Sequence, residues 1–235
     1  MPLTMQERES DSPYIARVWQ GHTIGETHMT SVATSTWEIV FWHVNGQPHA
    51  TIRGPETCAS APPVYDDSVS LGITFTHATS MPHLITRHLV DSEVHSPHAT
   101  RRSFILRDQP WETPTFESAE QFVNHLMTQE VLTFDPLVRD VLHGEEVKIG
   151  TRSIQRRIAS HTGLTRAQIH QIERARVAAH LIKDGASPLR VAHRLGYYDQ
   201  PHLARSLRRF IGRSATEIQN PNPDEMMSFL YKTQH

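Results

Sequence analysis

The chain has 235 residues, 23 of them basic and 25 acidic, for a net charge of −2 at pH 7, and 37% are hydrophobic. This length has room for two domains, each with enough core to fold. A lone cysteine, Cys58, excludes an internal disulfide, no apolar run approaches the ~20 residues that span a membrane, and the polar, acidic start lacks a signal-peptide core, so a cytoplasmic protein with no membrane association is expected.

Residues 12–132 read mostly as β-structure. The stretches 14–19, 37–43, 49–53 and 71–77 are short, rich in branched and aromatic side chains, and partly alternating. Asn45-Gly46 between the second and third is a hairpin signal, and Pro62-Pro63 with Asp66-Asp67 breaks the chain before the fourth. A helix follows over about 118–128, with Ala119, Phe122, Val123 and Leu126 on one side. Strands followed by a helix fit a β-barrel or jelly roll that leads into a helical region. Trp37, Phe41, Phe75 and His77 are the candidates to contact a small effector in an apolar pocket, although rings of this kind equally fill a core. His77, His83, His88, His95 and His98 crowd one segment, and imidazole is a common metal ligand. Yet no His-x-His occurs and the spacings fit no recognisable site, so neither a metal nor a cofactor is expected. A Gly-rich phosphate loop, a Gly-x-Ser-x-Gly elbow and a Cys-His pairing are also missing, so the expectation is not an enzyme.

Residues 135–219 read as helices throughout. Leu137, Val138, Val141 and Leu142 give a short apolar face, followed by a connector at 145–150 and a helix beginning at Thr151, its expected cap, with Arg152, Gln155 and Arg156 pointing outward. A long helix over about 165–183 carries the stripe Ile169, Ile172, Ala175, Ala179 and Ile182. Ser187 then caps a helix with Pro188 at its first position and Gly196 as its stop. The turn Gly196-Tyr-Tyr-Asp199 places Asp199 as cap of a last main helix. In that helix Leu203, Leu207, Phe210 and Ile211 share one face, while His202, Arg205, Arg208 and Arg209 share the other, with Gln200 at its start. A short helix, a tight turn and a basic second helix make a helix-turn-helix. Arginine forks grip guanine edges or phosphates and glutamine reads adenine, so this surface suits double-stranded DNA. The helix from Thr151 is a weaker copy: Ile154, Arg156, Ile158 and Gly163 match Leu203, Arg205, Leu207 and Gly212 in type and spacing. Charge follows the same division. Residues 1–136 hold 7 basic against 16 acidic residues, and residues 137–219 hold 15 against 7, so the back half attracts DNA and the front half repels it.

The runs His161-Thr-Gly-Leu-Thr165, Ile172-Glu-Arg-Ala-Arg176 and Arg194-Leu-Gly-Tyr-Tyr-Asp-Gln-Pro-His-Leu-Ala-Arg-Ser-Leu-Arg-Arg-Phe-Ile-Gly212 resemble the AraC/XylS family of transcription regulators over a little over a third of the chain. The resemblance implies an α+β protein of two domains: a cupin-like β-barrel with helices at 12–132, for sensing or dimerisation, and an all-α double helix-turn-helix domain at 135–219. By position it implies DNA contacts from Arg152, Gln155 and Arg156 and from Gln200, His202 and Arg205; Arg208 and Arg209, later in the helix, are expected to act more on phosphates. The implied partners are DNA, a small-molecule effector, a second copy of the chain and, for an activator, RNA polymerase. The first helix-turn-helix departs from the family pattern, because the long connector at 145–150 replaces the tight turn; its second helix is therefore expected to be held less firmly. From another class, a cupin-type metalloenzyme fused to a helical module would need metal on several of the histidines from His77 to His98.

Overall fold

The computed structural model describes residues 3–24, 28–61, 66–222 and 225–227; the expected break at Pro62-Pro63 lies outside them. The strands are β1 (Leu3–Arg8), β2 (Ile15–Thr23), β3 (His28–Thr30), β4 (Glu38–Val44), β5 (Gln47–Arg53), β6 (Ser68–Phe75), β7 (Thr79–Ser80), β8 (Glu93–His95), β9 (Ser103–Leu106), β10 (Gln109–Glu112), β11 (Thr133–Phe134) and β12 (Glu225–Met227). The helices are α1 (Ala119–Thr128), α2 (Pro136–Leu142), α3 (Thr151–Thr162), α4 (Arg166–Lys183), α5 (Pro188–Arg194), α6 (Gln200–Phe210) and α7 (Ala215–Gln219), with a 3₁₀ turn at Thr86–His88. A mostly β front and a helical back give the α+β layout expected from the residue pattern.

The chain forms two compact units that interleave in sequence. The first comprises Met1–Glu26, Thr36–Pro55 and Tyr65–Arg166, and the second comprises Thr27–Ser35, Glu56–Val64 and Ala167–His235. This departs from a boundary at 132–135 in two ways: α2 and α3 fold with the front strands, and two stretches of the front half fold with the last helices.

In the first unit a six-stranded antiparallel sheet runs in the order β1-β2-β6-β4-β5-β8. Asn45 and Gly46, both at positive φ (52° and 74°), close the β4–β5 hairpin, as the Asn-Gly pair requires. Alternation sends Ile39, Phe41, Ala50, Ile52, Ile73 and Phe75 to one face, where Phe104 and Leu106 of β9 and Phe122, Val123 and Leu126 of α1 complete the core. Trp37 stacks on Phe75 at 4.0 Å, and Phe41 meets Phe104 edge-on at 5.0 Å. The edges of the sheet are β1 and β8, and no pairing between them is found among the described residues. Among the described residues the sheet is thus open at both edges, with one face covered by the hairpin β9–β10 and α1.

In the second unit α4 is the central element, burying Ile169, Ile172, Ala175, Ala178, Ala179 and Ile182. The stretches 27–35 and 56–64 join each other through the bridges Ser31–Ser60 and Thr34–Glu56. They then bond to the helices. Arg176, 2% exposed, donates from Nη1 to the Ala33 carbonyl at 2.7 Å, and Ser35 Oγ donates to Glu173 Oε1 at 2.5 Å. The last carbonyls of α6, which a helix leaves without internal partners, accept from these stretches: Phe210 O from the Ala33 amide at 2.7 Å and Arg209 O from the Ala59 amide at 2.8 Å. Gly212, at φ 76°, lets the chain turn there; a Cβ on it would come within 2.9 Å of Thr30 Cγ2.

Candidate nucleic-acid interface

The second helix-turn-helix is fixed by short local rules. Ser187 Oγ accepts the Arg190 amide and Asp199 Oδ1 accepts the His202 amide at 2.6 Å, so both helices start at their expected caps. Gly196, at φ 69°, ends α5 in the left-handed conformation that glycine adopts without strain. Tyr197 plugs the turn. Its ring is buried, its hydroxyl lies 3.2 Å from Ser206 Oγ, and the Arg174 guanidinium of α4 stacks over it at 4.2 Å while donating to Gly196 O. Leu203, Ser206, Leu207 and Phe210 of α6 face inward.

What remains outside is the basic face. Gln200, Arg205, Arg208 and Arg209 are exposed. Among the described residues neither Gln200 nor Arg205 has a hydrogen-bond or ion-pair partner, so both side chains present their donors to solvent. Arg208 is engaged, with Nη1 3.0 Å from Glu217 Oε2, the carboxylate that also closes the capping box of α7 with Ser214. Arg209 folds back over the Phe210 ring at 5.1 Å. His202 is half-buried: its ring lies edge-on to Tyr197, and Nδ1 accepts the Tyr198 amide at 3.4 Å. His202 therefore braces the turn, while Gln200 and Arg205 are the side chains poised outward. Tyr198, beside them, is 92% exposed, and the sequence pattern does not single it out.

In the first unit α2 starts at Asp135, which caps the Leu137 amide as a side-chain acceptor. The helix α3 starts without a side-chain cap. Gly150, rather than Thr151, occupies the cap position, and Thr151 is the first helical residue. Arg152, Gln155 and Arg156 are exposed on its first turns, with no partner among the described residues. Its far end is anchored. Asp135 pairs with Arg157 and lies 3.3 Å from His161 Nε2, while His161 Nδ1 lies 3.0 Å from Ser80 Oγ. Burial of Asp135 would raise its pKa, but the hydrogen bond and charge of Arg157, the charge of His161 and the Leu137 amide outweigh it and hold the carboxyl below its usual range. Burial pushes the His161 imidazole down; Asp135 pulls it up, and Arg157 again pushes it down. At neutral pH the ring is thus neutral, with Nε2–H donating to Asp135 and Nδ1 accepting from the Ser80 hydroxyl. Thr86 Oγ1 donates to Ser160 O at 2.6 Å, and a Cβ on Gly163 would meet Thr86 O at 2.8 Å. The expected looseness of α3 is confined to its uncapped start.

Among the effector candidates, Trp37 lines a small cavity of about 10 Å³. Trp37, Phe41 and Phe75 are buried in the sheet core, and His77 is half-buried in the turn after β6. The larger pocket of the first unit, about 160 Å³, has Ile39, Ala50, Ile52, Leu84, Phe104 and Leu106 as its walls. Sequence inspection missed it because its walls come from the sheet edge, the β9–β10 hairpin and the loop after β7, which no local pattern brings together. The five clustered histidines spread over these same loops. Among the described residues no group of three or more His, Cys, Asp or Glu side chains is placed to hold a metal ion, and no helix is long and apolar enough to cross a membrane.

Compared with known protein families, the chain matches Helix-turn-helix domain over residues 144–220. Searches of curated proteins and of solved structures found no match. The matched region opens just after α2, at the point where the first helix-turn-helix departs from the family pattern. It takes in α3, the long α4, the capped pair α5 and α6 and the exposed face bearing Gln200 and Arg205. The chain carries, over residues 144–220, a DNA-binding helix-turn-helix domain of the AraC/XylS type.

Proposed function

We propose that the protein is a sequence-specific transcriptional regulator that reads double-stranded DNA mainly with α6 and responds to a small effector through its front half. The observation that carries this is the pair Gln200 and Arg205, exposed and unpartnered among the described residues on the first turns of a helix whose opposite face is buried. Side chains at the start of a recognition helix reach base edges, and those further along reach the backbone. Gln200 and Arg205 are assigned to bases. Arg208 and Arg209 are assigned to phosphates, which suits guanidinium groups already held by Glu217 and by the Phe210 ring. Arg152, Gln155 and Arg156 of α3 add contacts whose base discrimination is reduced by the uncapped start of that helix. His202, placed on DNA by the resemblance, acts here through the turn that it braces. Binding as a homodimer and, for an activator, contact with RNA polymerase complete the reading.

Selection of bound fragments from a genomic library with the purified full chain tests it. A defined motif is expected, and Arg205→Ala should cost about 1–3 kcal/mol on that motif and relax one base position. A selection that returns no motif, or an unchanged motif with Arg205→Ala, rejects the base-reading role.

A further inference from the structure

The pocket between the sheet edge, the β9–β10 hairpin and the loop after β7 has an apolar interior and a polar rim. Most of the rim is already satisfied. Thr51 Oγ1 lies 2.9 Å from His95 Nδ1, His95 Nε2 lies 3.3 Å from Glu93 Oε1, and the Ser96 hydroxyl is bonded to the carbonyls of His98 and Ile105. Three groups remain: His83, Arg107 and Asp108. Arg107 and Asp108 form the two-residue turn of the β9–β10 hairpin, both at positive φ. The Arg107 guanidinium donates to the backbone carbonyl of Glu130 at 3.3 Å, a neutral acceptor, and no carboxylate pairs with it among the described residues. Burial lowers the His83 pKa and the Arg107 charge lowers it further, so the ring is held neutral beside the guanidinium. An apolar cavity with an uncompensated guanidinium at its rim suits an anion with a hydrophobic body.

The pocket also touches the support of α3. Leu84 lines it and lines, with Thr86, His161 and Thr162, a second cavity of about 10 Å³. Two residues beyond Leu84, Thr86 holds Ser160 O of α3.

We propose that this pocket binds a small organic acid, its apolar body against Ile39, Ile52, Phe104 and Leu106 and its carboxylate at Arg107 and His83, and that occupancy is relayed through Leu84 and Thr86 to α3. The relay rests on the assignment of α3 to DNA; the ligand site does not. The test uses the full chain without DNA, with cyclohexanecarboxylate, cyclohexylmethanol and cyclohexylmethylamine as probes of one shape and three charges, followed by calorimetry and hydrogen exchange. The acid should bind tightest. Arg107→Gln should weaken the acid about tenfold and leave the alcohol unchanged, while Val94→Trp, at an exposed rim position, should weaken acid and alcohol alike. Acid binding should change amide exchange in α3, and Thr86→Val should abolish that change while preserving binding. Tighter binding of the amine or the alcohol, or no binding of any probe, overturns the ligand class. Binding with unchanged exchange in α3 overturns the relay. Either result leaves the DNA selection free to succeed or fail on its own.

Discussion

Arg176 shows how much one side chain can decide. It sits on α4 at 2% exposure and reaches a carbonyl 143 positions earlier in the chain, with Glu173 as its charged neighbour 3.8 Å away. A guanidinium is buried at large cost unless its donors are matched, and its removal strands the groups that matched it. Arg176→Ala should therefore destabilise the second unit by about 3–5 kcal/mol in urea unfolding, far more than loss of an exposed arginine. Arg205 is the opposite case. It has no partner among the described residues, so Arg205→Ala should leave the unfolding midpoint within about 0.5 kcal/mol of the parent while changing DNA preference. A large stability loss from Arg205→Ala would show that the side chain is structural. Both arginines belong to the same basic back half in the sequence; burial separates their roles, and composition carries no information on burial.

At the scale of elements, what was legible followed local rules. Asn45-Gly46 gave the hairpin, Ser187 and Asp199 the caps, Gly196 the stop, and the 3.6-residue periodicity the inward faces of α1, α4 and α6. The misses were non-local. Thr151 looked like a cap but is already helical, and the C-terminal end of α3 depends on Ser80 and Thr86, which lie outside any window around it. That anchor has a pH signature. The folded protein holds the His161 pKa below its ordinary value, so the unfolded chain takes up the proton first as pH falls. The stabilisation is present above about pH 6.5 and is lost on acidification below it. Amide exchange in α3 should speed up relative to α6 between about pH 7 and 5.5, after correction for the intrinsic pH dependence. With His161→Phe this differential should shrink; a differential of the same size in that variant would place its origin elsewhere.

For the whole molecule the interleaving of the two units matters most. A fragment covering 135–219 contains α2 to α7, and its apolar stripes look self-sufficient. It nevertheless lacks the stretches 27–35 and 56–64, which supply Ala33 and Ala59 to the end of α6 and the acceptor for Arg176. The fragment should unfold at lower denaturant than the second unit of the full chain and show poorly dispersed amide signals for 209–213; cooperative unfolding at the full-chain midpoint would refute this. The cause was invisible beforehand because Thr27–Ser35 and Glu56–Val64 resemble ordinary loops between strands, and a loop's partner is not written in its own composition.

A ribosome makes this chain from one end. Residues 31–34 and 56–60 emerge early and can bridge to each other, yet the helices they complete are the last to be made, and synthesis adds only about 5–20 residues per second. For roughly ten seconds or more the nascent chain holds two bridged stretches whose Ala33 and Ala59 amides await the last carbonyls of α6, which does not yet exist. Competence to grip DNA is thus deferred until the chain is nearly finished. A polypeptide cut short before Phe210 would be left with an incomplete second unit, so truncated products could not compete with the finished regulator for its sites.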